Sequence, residues 1–346
     1  MQSELSVRLG NAGAWLDDHV RHLRTHDLHP VVRCRDSAVY QTAYGKIRLA
    51  AGTEELRVHI DSPDDDGLTV LQGSISEYLI AHDPKLANEI AWNGTAPEPG
   101  RPKNLRVMRV LRTREISDWL LRMTLGGQDL SPFTERGLHV RLMIPRSPSC
   151  TEIVWPTIER SGAVRFPSGE DELIVRVYTI RAISPERGEV EIDIVRHRGG
   201  AFSDWAETAK TGDRVGMIGP GGGGFPAGGW LSIGGDDTAV PAILRILEAR
   251  QGGDGGHAVI GLRPHQEPLP VSLPQGFSLD WVPLDMLPAA LKTAASAHGA
   301  EQTGWFAGEA EQAREIREHF KTALGLAPNR RYSAVYWRRD ETAHSH

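Results

Sequence analysis

The run Arg176-Val177-Tyr178-Thr179-Ile180-Arg181 sets an aromatic ring and a hydroxyl between two guanidiniums. A flavin needs a flat surface for its ring, a hydrogen-bond donor near N5 and cations for its diphosphate. Tyr178, Thr179 and Arg176 are of those three kinds. A plain barrel strand with exposed arginines would carry the same letters, so the run gains meaning only from its neighbours in the chain. Next comes DIVRHRGGAFSDWAETAK, where a strand ends at His197, Gly199 and Gly200 free the backbone, and a helix begins near Phe202–Ser203. Such a helix start offers unpaired N–H groups to a phosphate. A third stretch, from Gly234 and Gly235 through Asp236, Asp237, Thr238 and Ala239 to Ile243, reads as a strand ending in glycines and a helix opened by Asp/Thr caps. Ligands of open α/β sheets gather at that end of the strands, and a nicotinamide diphosphate suits the place. The stretch lacks G-x-G-x-x-G, which sets it apart from Rossmann-type dehydrogenases.

Other candidates carry less. The glycines Gly221–Gly224 have no Lys-Ser/Thr after them, so they form no P-loop and read as a flexible hinge between domains. His19, His22, His26 and His29 include the i,i+3 and i,i+4 spacings that can bind metal, but no carboxylate or thiol accompanies them. A polar helix face is the expectation there, and no metal site is assigned. Cys34 and Cys150 are the only cysteines and neither lies in C-x-x-C, which excludes a disulfide scaffold and a thiolate-bound iron–sulfur cluster. No Ser/His/Asp arrangement or acid pair stands out, so no catalytic side chain is assigned.

The elements that must position these residues fall into three blocks. Residues 1–95 read as a small α+β domain, with an amphipathic helix in GAWLDDHVRHLRTHDL and the strand-like runs VVRCR, SAVYQTAYGKIRLAAG and LRVHIDS. LTVLQGSISEYLIAHDP reads there as a strand running into a helix. GTAPEPGRPKN, rich in Pro and Gly, reads as a linker. Residues 96–226 carry short alternating runs separated by turn residues, the pattern of an antiparallel β-barrel. Residues 227–346 alternate strands with helices, which implies a doubly wound parallel α/β sheet. With 346 residues the chain can bury a full core.

Charge and hydropathy exclude several classes. The formal net charge is −6, so no basic field points to nucleic acid. No run approaches the ~20 apolar residues of a membrane span. The opening MQSELSVRLGNAGAW lacks the pattern of a secretory signal, so a soluble, cytoplasmic protein is expected.

In their order, the R-x-Y-T strand, the H…G…A…W turn, the G-D-D-T-A-x-P-A helix start, WFAGEAEQAREIREHF and the closing VYWRR resemble the siderophore-interacting, FAD-binding ferric reductases, relatives of ferredoxin–NADP reductases. The resemblance runs from about Leu105 to Arg339, while the first block resembles a small domain of unknown function sometimes fused to them. It implies that Arg176, Tyr178 and Thr179 hold the diphosphate and ring of FAD. It implies too that His197, Gly199, Gly200, Ala201 and Ser203 line the rest of the flavin. Asp236, Thr238 and Ala239 would then lie near the flavin edge and the nicotinamide of NAD(P)H. Arg141, where a lysine is usual in H-x-K, and Arg330, Arg331 and Arg338 would receive an anionic ferric siderophore. Asp237 stands where Glu is usual, and Gly221 where Arg is common. The second strand of the last block ends in Gly261-Leu262-Arg263, where an acid often appears. Arg263 or His265 suits a 2′-phosphate, hence NADPH. The resemblance thus implies electron transfer from NAD(P)H, or from reduced ferredoxin, to a ferric siderophore. A general NAD(P)H:flavin or quinone reductase, and an iron- or haem-binding module with a non-catalytic flavin domain, are the alternatives.

Overall fold

The computed structural model describes residues 1–25, 28–134, 136–147, 152–197 and 199–339. His26 of the histidine cluster, Cys150 and the tail histidines His344 and His346 lie outside the described residues. The chain forms two compact units. One joins Met1–Leu105 to Pro145–Leu173, and the other joins Arg106–Ile144 to Ile174–His346. The backbone therefore passes between them three times, after Leu105, after Ile144 and after Leu173.

The first unit is built on an antiparallel sheet. Its opening strand, Gln2–Arg8, pairs with Glu55–Asp61 on one side and Trp92–Gly94 on the other. Leu5 and Val7 alternate inward with polar neighbours, as in the expected strands, although this strand is not among those expected of the block. The strands Ser37–Thr42 and Gly45–Ala51 extend the sheet. The helix Ala12–Thr25 buries Trp15, Leu16, His19 and Val20 on one stripe. The run expected to begin as a strand is helical throughout, Asp65–His82. Asp64 caps it by accepting the Gly67 N–H at 2.8 Å, and Leu68, Leu71, Ile75 and Leu79 recur at helical spacing to reach the sheet.

The Pro/Gly-rich segment is pinned rather than slack. Thr95 N–H donates to Gln2 O, Thr95 O accepts from Gln72 Nε2 at 2.8 Å, Gly100 bridges to Ile158, and Lys103 pairs with Asp65 at 3.0 Å. Residues 145–173 join this unit through Ser161, whose carbonyl accepts from Trp92 Nε1 at 2.9 Å and from Ser76 Oγ at 2.5 Å.

The second unit holds a closed six-stranded barrel and a parallel sheet. The barrel runs Leu173–Ser184, Glu189–Val195, Leu120–Gly126, Leu105–Ser117, Arg214–Gly221 and His139–Pro145, closing on the first. Its interior is apolar: Met108, Val110, Met123, Leu142, Ile180, Ile192 and Met217 are all essentially unexposed. The parallel sheet has the order Phe277–Pro283, Gly255–Leu262, Trp230–Asp236, Thr303–Glu309, Arg331–Trp337. In chain order that is 3-2-1-4-5, so the order reverses between the strands ending in Asp236 and Glu309. That reversal is where such sheets open a ligand crevice.

In the glycine run Gly221–Gly224, expected as a flexible hinge, the two middle positions are closely packed, while nothing lies within 4 Å of a Cβ on Gly221 or Gly224. Gly222 has φ +75°, and a Cβ there would sit 2.2 Å from His139 Nδ1, while one on Gly223 would sit 2.7 Å from the Tyr332 ring. No described helix is long and apolar enough to cross a membrane.

Candidate functional site

The barrel strand Leu173–Ser184 positions the first group. Tyr178 packs its ring 4.9 Å from Phe202, which in turn meets Trp205 edge-on at 5.3 Å. Burial raises the Tyr178 phenol well above its usual pKa, so it is neutral. Thr179 is 4% exposed. Beside them Val177, 63% exposed, is an uncovered apolar surface on the strand. The Arg176 Nη1 donates to the Val175 carbonyl at 2.8 Å.

The next strand, Glu189–Val195, is followed by His197, by Gly199 and Gly200, and by the helix Ala201–Thr208. The helix has Gly200 at its N-cap and no side-chain cap. Gly199 takes φ +81°, and a Cβ on Gly200 would fall 2.1 Å from His197 Nε2. Ser203 Oγ accepts the His197 N–H at 3.2 Å, which fixes the turn. The result is a backbone cradle at an uncapped helix start, with Arg176 on the preceding barrel strand. This donor set fits a diphosphate. The fit to FAD rests on that cradle, on the aromatic group at Tyr178 and on the uncovered face at Val177.

The third group is tied together by Asp236. Its carboxylate is unexposed and accepts four hydrogen bonds: Thr238 N–H at 3.0 Å, Thr238 Oγ1 at 2.5 Å, Glu309 N–H at 3.1 Å and Trp337 Nε1 at 2.6 Å. Four donors exhaust a carboxylate. Burial, and then the charge of Asp237, raise its pKa, while the Thr238 and Trp337 bonds oppose that rise. Asp236 therefore holds the crevice together and offers nothing to a ligand. Ala239 is likewise unexposed, so these two act on the site by shaping the turn. Glu309 caps its own helix, Ala310–Glu318, by accepting from Glu311 N–H at 2.9 Å.

Beside this knot, Arg263 sets its Nε 3.0 Å from Asp237 Oδ2 and lays its guanidinium over the Trp337 ring at 4.7 Å. Gln266 Nε2 donates to the same Asp237 oxygen at 2.8 Å.

The four expected substrate arginines do not converge. Arg141 is exposed on the outer face of its barrel strand, one pleat beyond His139. Arg338 is exposed just past Trp337, at the carboxyl edge of the sheet. Arg330 and Arg331 stand at the start of the last strand. There Arg330 donates to the Glu301 carbonyl and Arg331 to the Leu326 carbonyl. Six residues of strand, roughly 20 Å, separate that edge from Trp337. Sequence reasoning missed Tyr336, Trp337, His139 and Glu309. Their only signal was that they sat inside the quoted H-x-R, AGE and YWRR segments.

In the histidine cluster, His19 is a core residue rather than part of a polar face. It stacks on Trp15 at 4.8 Å and is 2% exposed. Among the described residues no group of three potential ligands could hold a metal ion.

Comparison with known proteins matches these parts. Residues 109–224 match the siderophore-interacting FAD-binding domain, and residues 229–340 match the siderophore-interacting protein model. The chain is 30% identical over 246 residues to the ferric vibriobactin reductase ViuB of Vibrio cholerae, covering 68% of this chain and 89% of that one. It is 28% identical to the NADPH-dependent ferric-chelate reductase of Escherichia coli, covering 71% and 98%. Among solved structures, the siderophore-interacting protein SipS of Aeromonas hydrophila superposes with a TM-score of 0.57 at 28% identity, over 69% of this chain and 93% of that one. A ferredoxin reductase of carbazole 1,9a-dioxygenase, at 17% identity and TM-score 0.51, shares the fold, with 68% of each chain covered. The barrel and sheet thus form a ferredoxin-reductase-like flavoprotein fold. The chain belongs to the siderophore-interacting protein family.

Proposed function

We propose that this protein is an FAD-dependent reductase that passes electrons from NADPH to a ferric siderophore in the cytoplasm and so releases Fe(II). The observation that carries it is the cradle of Gly199, Gly200 and the uncapped Ala201–Thr208 helix beside the Arg176-Tyr178-Thr179 strand. On this basis residues 96–226 hold FAD and residues 227–346 the nicotinamide nucleotide, while residues 1–95 lie off the electron path. Arg176, with the backbone at Gly199, Gly200 and Ala201, binds the diphosphate. Tyr178 and Thr179 border the ring, and His197 and Ser203 fix the turn. Asp236, Thr238 and Ala239 shape the crevice for the nicotinamide. FAD supplies conversion of a two-electron donor into single-electron delivery. Arg141 and Arg338 attract the anionic chelate locally in a chain whose net charge is −6. Reduced iron leaves because hard oxygen chelators hold the less charged ion poorly. The NADPH-dependent name of the Escherichia coli relative, and Arg263 after the second sheet strand, support that donor.

The test is direct. The purified protein is expected to be yellow with flavin absorbance bands, and to reduce ferric hydroxamates or catecholates with NADPH faster than free flavin or quinone. Free flavin or quinone outpacing every ferric chelate would favour a general reductase. Turnover with reduced ferredoxin alone would replace the donor.

A further inference from the structure

Arg181, the second guanidinium of the run that opens with Arg176, has no part in the proposed cradle. Ile180 faces Ile192 on the neighbouring barrel strand and Ala182 faces Glu191, so Arg181 is the extra residue of a β-bulge. A bulge re-aims the side chain it carries. Arg181 reaches the helix Val240–Glu248, where Nη1 and Nη2 donate to the two carboxylate oxygens of Glu248 at 2.7 and 2.5 Å. Its Nε stands 3.8 Å from Asp193, whose carboxylate is already held by Arg122 at 2.6 and 2.8 Å. One turn earlier on the same helix, Arg245 is 7% exposed. It donates to the Thr134 carbonyl at 3.1 Å and the Leu138 carbonyl at 3.4 Å, and its guanidinium lies 5.3 Å from the Phe225 ring. Leu138 O also takes the Ile180 N–H at 2.8 Å. Ile180 and Arg181 directly follow Tyr178 and Thr179, and both are tied to this helix, the first through a shared carbonyl. The helix in turn starts directly after Asp236–Ala239, the turn at the ligand crevice.

We propose that Arg181 and Arg245 are positioning residues for hydride transfer, holding the helix Val240–Glu248 against the strand Leu173–Ser184 so that nicotinamide and flavin ring meet at a fixed distance. This rests on the proposed function, which puts the ring at Tyr178 and Thr179 and the nicotinamide at Asp236, Thr238 and Ala239. The step breaks a C–H bond of NADPH and forms an N–H bond at flavin N5. The electron pair travels with the hydrogen, so NADPH is oxidised to NADP⁺ and FAD is reduced. Neither arginine touches the reacting atoms; one acts through Glu248 and the other through the Leu138 carbonyl. The helix has nine residues, so it is a rod of roughly 13 Å. Its start shapes the crevice and its end grips the strand, which makes it the link between the two reacting partners. Apolar packing alone would leave that link free to slide. Leu138 shares an unexposed cluster with Val240, Ile243 and Ile246, and such contact has no preferred direction. The bidentate Arg181–Glu248 fork adds the missing direction. Burial, and then the Arg181 charge, lowers the Arg245 pKa to about 10, so Arg245 is charged at pH 7 and depends on its carbonyls. Hydride transfer is sensitive to such placement, since a shift of about 1 Å can cost a hundredfold.

Anaerobic stopped-flow mixing separates the steps. In Arg181→Met and in Arg245→Met, flavin reduction at saturating NADPH should slow about tenfold or more. The Kd for NADPH, the affinity for FAD and reoxidation by a ferric chelate after dithionite reduction should stay within about twofold of native. Arg181→Met combined with Glu248→Gln should be no slower than Arg181→Met alone, because the pair acts as a unit. Arg245→Lys, whose ammonium can still reach a carbonyl, should recover about threefold of the loss. A second measurement uses the FAD-free protein with Cys34→Ser and Cys150→Ser, spin-labelled at Arg187→Cys on the barrel and Thr293→Cys on the sheet, both exposed. The label-to-label distance should be narrow in this background and about twice as broad when either methionine variant is added. A native reduction rate in both methionine variants, or an unbroadened distance in both, overturns the proposal. Equal slowing of reduction and reoxidation, as general loss of structure would give, overturns it too. If a methionine variant does not fold, Glu248→Gln, at the exposed end of the pair, and Arg245→Lys decide by the same measures. Failure of the native protein to bind FAD or to be reduced by NADPH overturns instead the functional reading on which it rests.

Discussion

Trp337 donates its indole N–H to Asp236 Oδ2 across 2.6 Å, joining the last strand of the parallel sheet to the first. The same carboxylate takes the Glu309 N–H of the fourth strand and both donors of Thr238. Three motifs that lie far apart in sequence therefore meet on one anion at the point where the strand order reverses.

Asp236→Asn leaves an amide N–H₂ facing donors. It should cost about 2–3 kcal/mol, since a buried group loses charge-assisted bonds and gains an unpaired one. Urea denaturation of the FAD-free protein checks this. A loss below a few tenths would mean that the turn does not depend on the carboxylate.

Stability should fall on mild acidification. His19 and His139 each have a pKa lowered from 6.5 to about 4. Burial is the first cause for both, followed by the charges of His22 and Arg245 respectively. The unfolded chain binds these protons first, so stability is full above 6.5 and is lost as pH falls toward 4. Between pH 7 and pH 5 each histidine should withdraw about 2 kcal/mol. Urea midpoints at the two pH values measure it, and His139→Gln should remove only the share of the second unit.

Gly222→Ala meets both a positive φ and a fixed imidazole, whereas Gly224 has open space around it. The first substitution should cost roughly 2–4 kcal/mol and the second almost nothing. Equal, small effects on thermal unfolding would restore a slack hinge.

Arg263→Ala should raise KM for NADPH about tenfold and leave NADH unchanged, because a guanidinium at this strand end suits a 2′-phosphate. Its orientation is set by Asp237 and Trp337, so Asp237→Asn should show part of the same loss.

Arg141→Glu should raise KM for an anionic ferric chelate about tenfold, with a neutral dye reduced as before. Arg330→Glu, at the opposite edge of the sheet from Arg338, should change neither.

Much of this fold is written in local patterns. The alternation in Glu189–Val195 and the strand–helix rhythm after Trp230 announce barrel and sheet without help. The cradle was legible too, because Gly199, Gly200 and Ala201 are consecutive. What stayed hidden depends on distant pairings. Nothing near Asp236 reveals that its partners are Glu309 and Trp337, and nothing near His139 reveals Tyr336. Asp236 and Ala239 suit ligand contacts by their residue types, yet burial gives them a structural role. The run LTVL misleads because short apolar stretches suit strand and helix alike. Only the Asp64 cap and the spacing through Leu79 settle it.

The triple passage of the backbone between the two units has a practical meaning for anyone wishing to dissect this molecule. A protease nick after Leu105 would leave the first unit still fastened at Ile144–Pro145 and Leu173–Ile174. Trimming the gene at that point would also strip Pro145–Leu173 of its partners Ser76 and Trp92 while leaving it spliced into the barrel. The amino-terminal portion is therefore no detachable cassette, and its removal should be felt by the two strands that carry Arg141 and Arg176.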